Sequence, residues 1–464
     1  MLLHNISLAG THSMIVKNGL LLCIGAFSSS LYAQSHLTLE QRISQLEERL
    51  IAAEKRAGIA EAEIKILKNK PAENNKINTD ITNNKNTSEF IFNQKSKLKF
   101  YGDVEFNLDS ASRTGSLTSL KKNANKKLAP SERERWDVNG RILLGVDGVQ
   151  HSSNGKYAGF TVQPLADMNG KMNLDDAAFY FGKENDWLMK VGRFEAYDMF
   201  PLNQDTFVEY SGNTANDLYS DGYGYIYMMK EARGRSNSGG NLLVSKTLDN
   251  WYLELNTLVE DGSSLFVDQR YHGEKLDNKK NVVYFRPVVS WRSSNYSLAA
   301  AMETNAVNNA YGYTDSRGRW QDTSERTGYG LTMTWNSLRT APQDGMIVNL
   351  NTAMMDAKDE QDFSAGINAL WHRVELGYIY AHNKISNFNV AGVNGECGND
   401  CAILAPGKYD IHTIHSSWQV PNIMNMPNFN IYLGAYASWL NSSAEEDSSN
   451  QPRYGARLRF KYLF

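Results

Sequence analysis

From Leu98 the chain alternates strictly. Leu98, Phe100, Gly102, Val104, Phe106 and Leu108 share one side, against Lys99, Tyr101, Asp103, Glu105 and Asn107 on the other. The same period of two returns from Trp136 to Val146, from Trp251 to Val259 and from Phe429 to Trp439. Successive strand side chains point to opposite faces, so each segment predicts a strand with one apolar and one wet face. By this criterion there are about 16 segments. They centre near Phe106, Leu144, Phe160, Phe179, Met189, Val244, Leu255, Val289, Ala299, Leu331, Leu350, Ile367, Tyr378, Thr413, Leu433 and Leu458.

Alternation also suits a soluble sandwich, and the connections separate the two. Those after odd-numbered segments are mostly long: 111–132, 197–239, 261–280, 308–326 and 384–408. Those after even-numbered segments are mostly short: 151–155, Asp249-Asn250, 293–295 and His372-Arg373. Long loops on one rim and tight turns on the other characterise outer-membrane barrels. The chain ends on a further apolar face, Tyr454, Ala456, Leu458, Phe460, Tyr462 and Phe464, opposite Arg453, Arg457, Arg459 and Lys461. The fold class is therefore all-β. Residues 96–464 are expected to form a transmembrane antiparallel β-barrel of about 16 strands whose last strand closes on the first.

The N-terminal part follows a different pattern. Residues 1–33 carry Lys17, an apolar run from Gly19 to Phe27 and small residues ending at Ala33, the plan of a secretory signal peptide. Either Met1 or Met14 could initiate it. Over 34–70, Leu39, Ile43, Leu46, Leu50, Ala53, Ala57, Ala60, Ile64 and Leu67 keep a 4-3 spacing, which predicts a short self-associating α-helical coiled coil. Pro71 ends it, and 71–95 reads as a polar, Asn- and Lys-rich linker. An even strand count returns both barrel termini to the short-turn side, which places the coiled coil in the periplasm. Removal of the signal leaves only Cys397 and Cys401, in Cys-Gly-Asn-Asp-Cys. No second pair or His cluster completes a zinc site, and a small disulfide loop suits an exported chain.

Composition removes whole classes of function. Lys and Arg total 48 against 51 Asp and Glu, so the net charge of −3 makes no case for a nucleic-acid binder. No apolar run is long enough for a membrane helix. No nucleotide fingerprint, metal cluster or cofactor motif appears, so no cofactor is expected and transport would be passive.

A barrel this wide holds a water channel, and function depends on what narrows it. The longest connection, 197–239, mixes Tyr197, Phe200, Phe207, Tyr210, Tyr219, Tyr223, Tyr225 and Tyr227 with Asp198, Asp205, Glu209, Asp217 and Asp221. Aromatic faces suit the C–H faces of sugars and carboxylates suit their hydroxyls. The same aromatics could equally pack the loop onto the barrel.

This organisation resembles the sugar-specific porins of enteric bacteria. The segment Leu174-Asp175-Asp176-Ala177-Ala178 to Phe181, and Lys190-Val191-Gly192-Arg193-Phe194 before the long loop, look most like the raffinose-type glycoporin. The resemblance implies a homotrimer in the outer membrane, in contact with lipid and lipopolysaccharide. It also implies insertion by the barrel-assembly machinery, which reads the C-terminal strand ending in Phe464. It implies that the third loop, 197–239, folds inward as a constriction facing lumen-side basic residues such as Arg141, Arg453, Arg457 and Arg459. The candidates read from the loop's own composition are Tyr197, Asp198, Asp205, Glu209, Tyr210, Asp217, Tyr219, Asp221 and Tyr223. The expected function is passive diffusion of raffinose- or sucrose-like oligosaccharides and ions. The alternative is a general diffusion pore without a sugar site. A hydrolase would need a nucleophile, a base and an orienting group on one face. His382, His412 and His415 could supply a base, but no Ser motif accompanies them, and His412 and His415 face opposite sides of one strand by parity, so no enzyme is expected.

Overall fold

The computed structural model describes residues 81–84, 87–93, 95–111, 135–168, 170–204, 206, 227–229, 239–266, 269–387, 389, 406–443 and 453–464. The segments read as a signal peptide (1–33) and a coiled coil (34–70), and the stretch expected to hold a Cys397–Cys401 disulfide, lie outside the described residues.

Sixteen antiparallel strands form a closed wall: β1 (Ser96–Ala111), β2 (Arg135–His151), β3 (Lys156–Asp167), β4 (Met172–Lys183), β5 (Trp187–Arg193), β6 (Gly240–Leu248), β7 (Trp251–Asp261), β8 (Asn281–Ser293), β9 (Tyr296–Asn305), β10 (Arg326–Asn336), β11 (Met346–Ala357), β12 (Glu360–Trp371), β13 (Val374–Ile385), β14 (Gly407–Val420), β15 (Phe429–Ser442) and β16 (Arg453–Leu463). Each pairs with its chain neighbour, and β16 pairs with β1 in the register Phe460↔Phe106 and Leu458↔Leu108. No barrel edge remains to be satisfied by lipid, which cannot hydrogen-bond to backbone. Every strand centre expected from the alternation falls within its strand. Phe464 extends the closure: its N–H donates to the Gly102 carbonyl at 3.1 Å, and its carbonyl accepts from the Gly102 N–H at 2.9 Å.

The segment read as a polar linker contains more order than its composition suggested. Ile81–Asn84 and Thr87–Asn93 form a hairpin, and Ser88 to Asn93 pair with the start of β1. That stretch of β1, Ser96 to Phe100, reaches past the end of β16, whose pairing stops at Asp103. The hairpin thus uses backbone groups that the closing strand leaves unpaired.

The outer face is continuous with the predicted apolar parity. Phe100, Leu108, Leu144, Phe160, Phe179, Leu255, Leu331, Leu350 and Ile367 are all exposed there. Short-rim turns are tight: Asp249, Ser294 and His372 each take a positive φ, 50°, 44° and 52°, so the chain reverses between consecutive strands.

On the long-loop rim, residues 262–266, 269–280 and 306–325 build a small cap. Asp277–Asn278, Tyr311–Thr314 and Trp320–Asp322 form a three-stranded sheet, and Arg270–Tyr271 pairs with Glu274–Lys275. Phe266, Tyr271, Leu276 and Tyr311 pack with Leu258, Val282 and Tyr284 of the wall into one buried cluster. Tyr271 donates to the Lys358 carbonyl, and His272 meets the buried Glu360 carboxylate at 3.2 Å.

Candidate functional site

The described parts of the connection between β5 and β6, residues 194–204, 206 and 227–229, lie along the inner wall of the barrel. Its first described stretch is tied down residue by residue, in strand order. The Tyr197 N–H donates to Glu254 of β7 at 3.1 Å, its carbonyl accepts from Arg286 of β8 at 2.9 Å, and its hydroxyl meets Ser290 of β8 at 2.8 Å. Thr332 of β10 donates to the Met199 carbonyl, and Asn368 of β12 donates to the Pro201 carbonyl at 2.8 Å. The N–H groups of Asn203 and Gln204 both donate to the Glu375 carboxylate of β13, at 3.2 and 2.6 Å. Ser417 of β14 donates to the Gln204 side chain at 2.6 Å, and Thr206 lies against Gly434 of β15. A loop within a lumen must have its backbone satisfied, and here wall side chains do this.

The returning stretch uses the same wall. Tyr227 donates to Glu303 of β9 at 2.8 Å, and its carbonyl accepts from Ser364 of β12. Tyr227 and Met229 pack with Val288, Ala299, Ala301, Ala353 and Met355, inward-facing residues of β8, β9 and β11. The fit depends on missing side chains. A Cβ on Gly366 would fall 2.8 Å from the Phe200 ring, one on Gly330 would fall 3.1 Å from the Met229 sulfur, and one on Gly328 would collide with the Tyr227 hydroxyl. Glycine within a strand marks a site of close approach, and these three mark where the loop rests.

The expected site residues divide accordingly. Tyr197 is half-buried, with its ring stacked on Tyr252 at 5.7 Å, and Asp198 is exposed while accepting the Phe200 N–H at 2.8 Å. Phe200 and Tyr227 are 3% and 2% exposed, so they are packing groups of the loop and offer no free ring face. Asp205, Phe207, Glu209, Tyr210, Asp217, Tyr219, Asp221, Tyr223 and Tyr225 lie outside the described residues. Sequence reading missed the receiving wall altogether. Its clue was the run Leu298-Ala299-Ala300-Ala301-Met302, which is apolar on both parities and so belongs to a strand covered on both faces.

Arg457 and Arg459 of β16 and Arg141 of β2 lie beyond the end of the loop's path, and each faces a carboxylate of β1. Arg457 clasps Asp109 through two contacts of 2.7 Å, and both side chains are 1% exposed. Arg459 reaches Glu105 at 3.1 Å and Asn107 at 2.9 Å, and Lys461 approaches Glu105 at 3.6 Å. Asn139 joins the ladder by donating to Asp109 at 2.7 Å. Arg141 sits 3.6 Å from Asp103 and stays partly exposed. Arg453 belongs to β16, but its side chain lies outside the described residues. The expected basic counter-face is thus interleaved with carboxylates from β1, where β16 closes on it.

The three histidines do not share one face of the wall. His415 is buried on the inner face, whereas His412 lies on the outer parity, stacked on Trp439 at 5.4 Å, and His382 on that same parity contacts Asp410 at 2.8 Å. Among the described residues, no group of three or more His, Cys, Asp or Glu is placed to hold a metal ion.

A family model described as "Porin-like glycoporin RafY" matches residues 100–464. No curated protein matches the chain. Among solved structures, OprB of Pseudomonas putida is similar at 10% identity, covering 79% of this chain and 94% of its own, with a TM-score of 0.51. At that identity the likeness concerns the fold alone. The outer-membrane-expressed OmpT of Vibrio cholerae is similar at 9% identity, with 81% and 99% coverage and a TM-score of 0.44. A mutant of the Rh. blastica porin is similar at 13% identity, with 79% and 100% coverage and a TM-score of 0.44. With a closed sixteen-strand wall, an apolar outer face and a family match spanning nearly the whole barrel, the chain belongs to the porin-like glycoporin family and is an outer-membrane porin.

Proposed function

We propose that this porin passes oligosaccharides of the raffinose and sucrose class, together with ions, by passive diffusion, and that the β5–β6 connection sets its constriction. The observation that carries this reading is the path of that connection along the lumen from β7 round to β15. The carboxylates and tyrosines of the stretch 205–225 are of the kinds that meet sugar hydroxyls and C–H faces. Tyr197 and the exposed Asp198 stand at its entry, and Arg141 offers a partly exposed cation across the lumen. The reading includes a homotrimer and lipopolysaccharide contacts. It also includes insertion by the assembly machinery, a cleaved signal over 1–33, a periplasmic coiled coil over 34–70 and a Cys397–Cys401 disulfide.

Planar-bilayer recordings of the full chain test it. A sugar pore shows saturable block of ion current by di- and trisaccharides. A current unaffected by any saccharide favours the second reading, a general diffusion pore whose loop only limits size.

A further inference from the structure

The lumen carries a concavity near the short-turn rim of β1–β4, lined by none of the described residues of the β5–β6 connection. It has a volume of about 480 Å³ and is lined by Lys97, Lys99, Asp147, His151, Tyr157 and Tyr180, with Glu184 at its edge. All the strand residues among these share the inner parity. Lys99 pairs in register with Asp147 and His151 with Tyr157, while Phe100, Leu144, Phe160 and Phe179 hold the lipid face of the same strands.

Two tyrosines of this wall lie over glycines. A Cβ on Gly145 would strike the Tyr101 ring at several atoms, and one on Gly159 would fall 2.7 Å from the phenol end of Tyr180. Each ring therefore lies against bare backbone of the neighbouring strand, with one side toward the wall and the other toward the lumen. Tyr101 is fixed there: its hydroxyl donates to Asp147 at 3.0 Å and accepts from Gln163 at 2.9 Å. Lys99 covers its ring at 5.1 Å, so Tyr101 lies beneath Lys99 and does not itself line the concavity. Tyr157 and Tyr180 are the open pair. Their centroids are 6.2 Å apart at 61°, and His151 sits 5.8 Å from Tyr157 while holding Glu184 at 3.0 Å.

The chemistry of the lining selects a ligand class. Two lysines balance two carboxylates, which does not favour an anion or a cation. Donors and acceptors alternate around fixed aromatic faces, and a polyhydroxyl ring both donates and accepts while presenting C–H faces. The volume lies within the range of small-molecule sites. We propose that Tyr157 and Tyr180, with Asp147, His151 and Glu184, form a neutral-saccharide subsite at the periplasmic exit of the pore. The inference rests on the sugar-pore reading and adds a second station to it.

The test compares the full chain with Tyr157→Ala/Tyr180→Ala, recording ion-current block by sucrose and raffinose. The half-blocking concentration is expected to rise about ten-fold in the variant, a loss of about 1.4 kcal/mol shared by the two rings. Tyr180→Phe, which keeps the ring, is expected to retain the block. Should the alanine variant not insert, Tyr157→Ile/Tyr180→Ile keeps strand propensity and part of the apolar bulk and gives the same readout. Equal block in wild type and ring-less variants overturns the subsite while leaving the sugar-pore reading intact. A wild type that no saccharide blocks overturns both.

Discussion

Two walls of one barrel fill their lumen sides by opposite means. Their outer faces are alike: Leu108 and Leu144 on one side and Leu331 and Leu350 on the other are all apolar and exposed. Inside, the β16–β1–β2 wall carries long charged side chains that satisfy each other, Arg457 with Asp109 and Arg459 with Glu105. The β8–β12 wall instead presents Ala299, Ala301, Ala353, Gly328, Gly330 and Gly366, and the β5–β6 connection fills the space they leave. A wide barrel cannot pack its interior with wall side chains alone. One wall is stiffened by electrostatics in a dry setting, the other by a piece of chain seated against it. Where that chain sets the constriction, as proposed, stability and pore geometry are encoded on different strands.

The largest test of that division is Asp109→Ala. It leaves the Arg457 guanidinium, 1% exposed, without its carboxylate. Breaking a buried pair costs about 3–5 kcal/mol. A marked fall in the temperature at which the barrel loses its folded gel mobility is expected, with unchanged conductance in those pores that insert. The pair Asp109→Leu/Arg457→Met should recover most of the loss, because no charge is then stranded. If Asp109→Ala melts like wild type, the seam is solvated and the two walls do not differ as argued.

The two walls were not equally legible in the sequence. Lipid imposes one apolar residue in every two, so the strand centres from Phe106 to Leu458 could be read directly. The closure was also readable, because Phe460 and Phe106 share the lipid parity. Pairing of the arginines was hidden by distance along the chain: Arg457 and Asp109 meet only when the last strand finds the first. The loop's length and its aromatic and acidic content were legible, but its resting place was not. A glycine such as Gly328 has no side chain with which to announce its neighbour. The cap over the long-loop rim escaped for another reason. Its strands, such as Trp320–Asp322, are too short for a period to emerge.

On the second wall, Gly328→Val is the next largest effect. The added side chain occupies the place of the Tyr227 hydroxyl, and overpacking of this kind costs about 1–3 kcal/mol. The diagnostic readout is single-channel conductance, which should change here and stay constant in the Asp109 variants. Unchanged conductance would mean that the loop does not define the channel. Tyr227→Phe is gentler. It removes only the hydroxyl that donates to Glu303 at 2.8 Å, a loss of about 0.5–1.5 kcal/mol, and should broaden open-channel current noise without altering the mean conductance. An unaltered noise spectrum would show that Met229 and Phe200 hold the loop without this bond.

The smallest effect sharpens the claim that burial gives the seam its strength. Asp186, in the turn between β4 and β5 at the water-facing rim, also contacts two cations, Lys246 and, at 3.3 Å, Lys183. The hydrogen bond from Lys246, then that from Lys183, holds its carboxyl below the ordinary carboxylate range. A carboxyl depressed in the folded state adds stability that is present above its unfolded pKa and is lost as pH falls through the depressed value. The melting temperature should therefore be insensitive to Asp186 from neutral pH down to about pH 5, with any contribution disappearing only below the ordinary Asp pKa of about 3.9. Because water screens the pair, Asp186→Asn should melt almost with wild type at neutral pH, and salt should reduce even that small difference. Thermal melts of Asp186→Asn and Asp109→Ala at low and high salt provide the comparison. A drop for Asp186→Asn as large as that for Asp109→Ala would show that ion pairing stabilises this barrel wherever it occurs, and that the dryness of the seam is not what sets it apart.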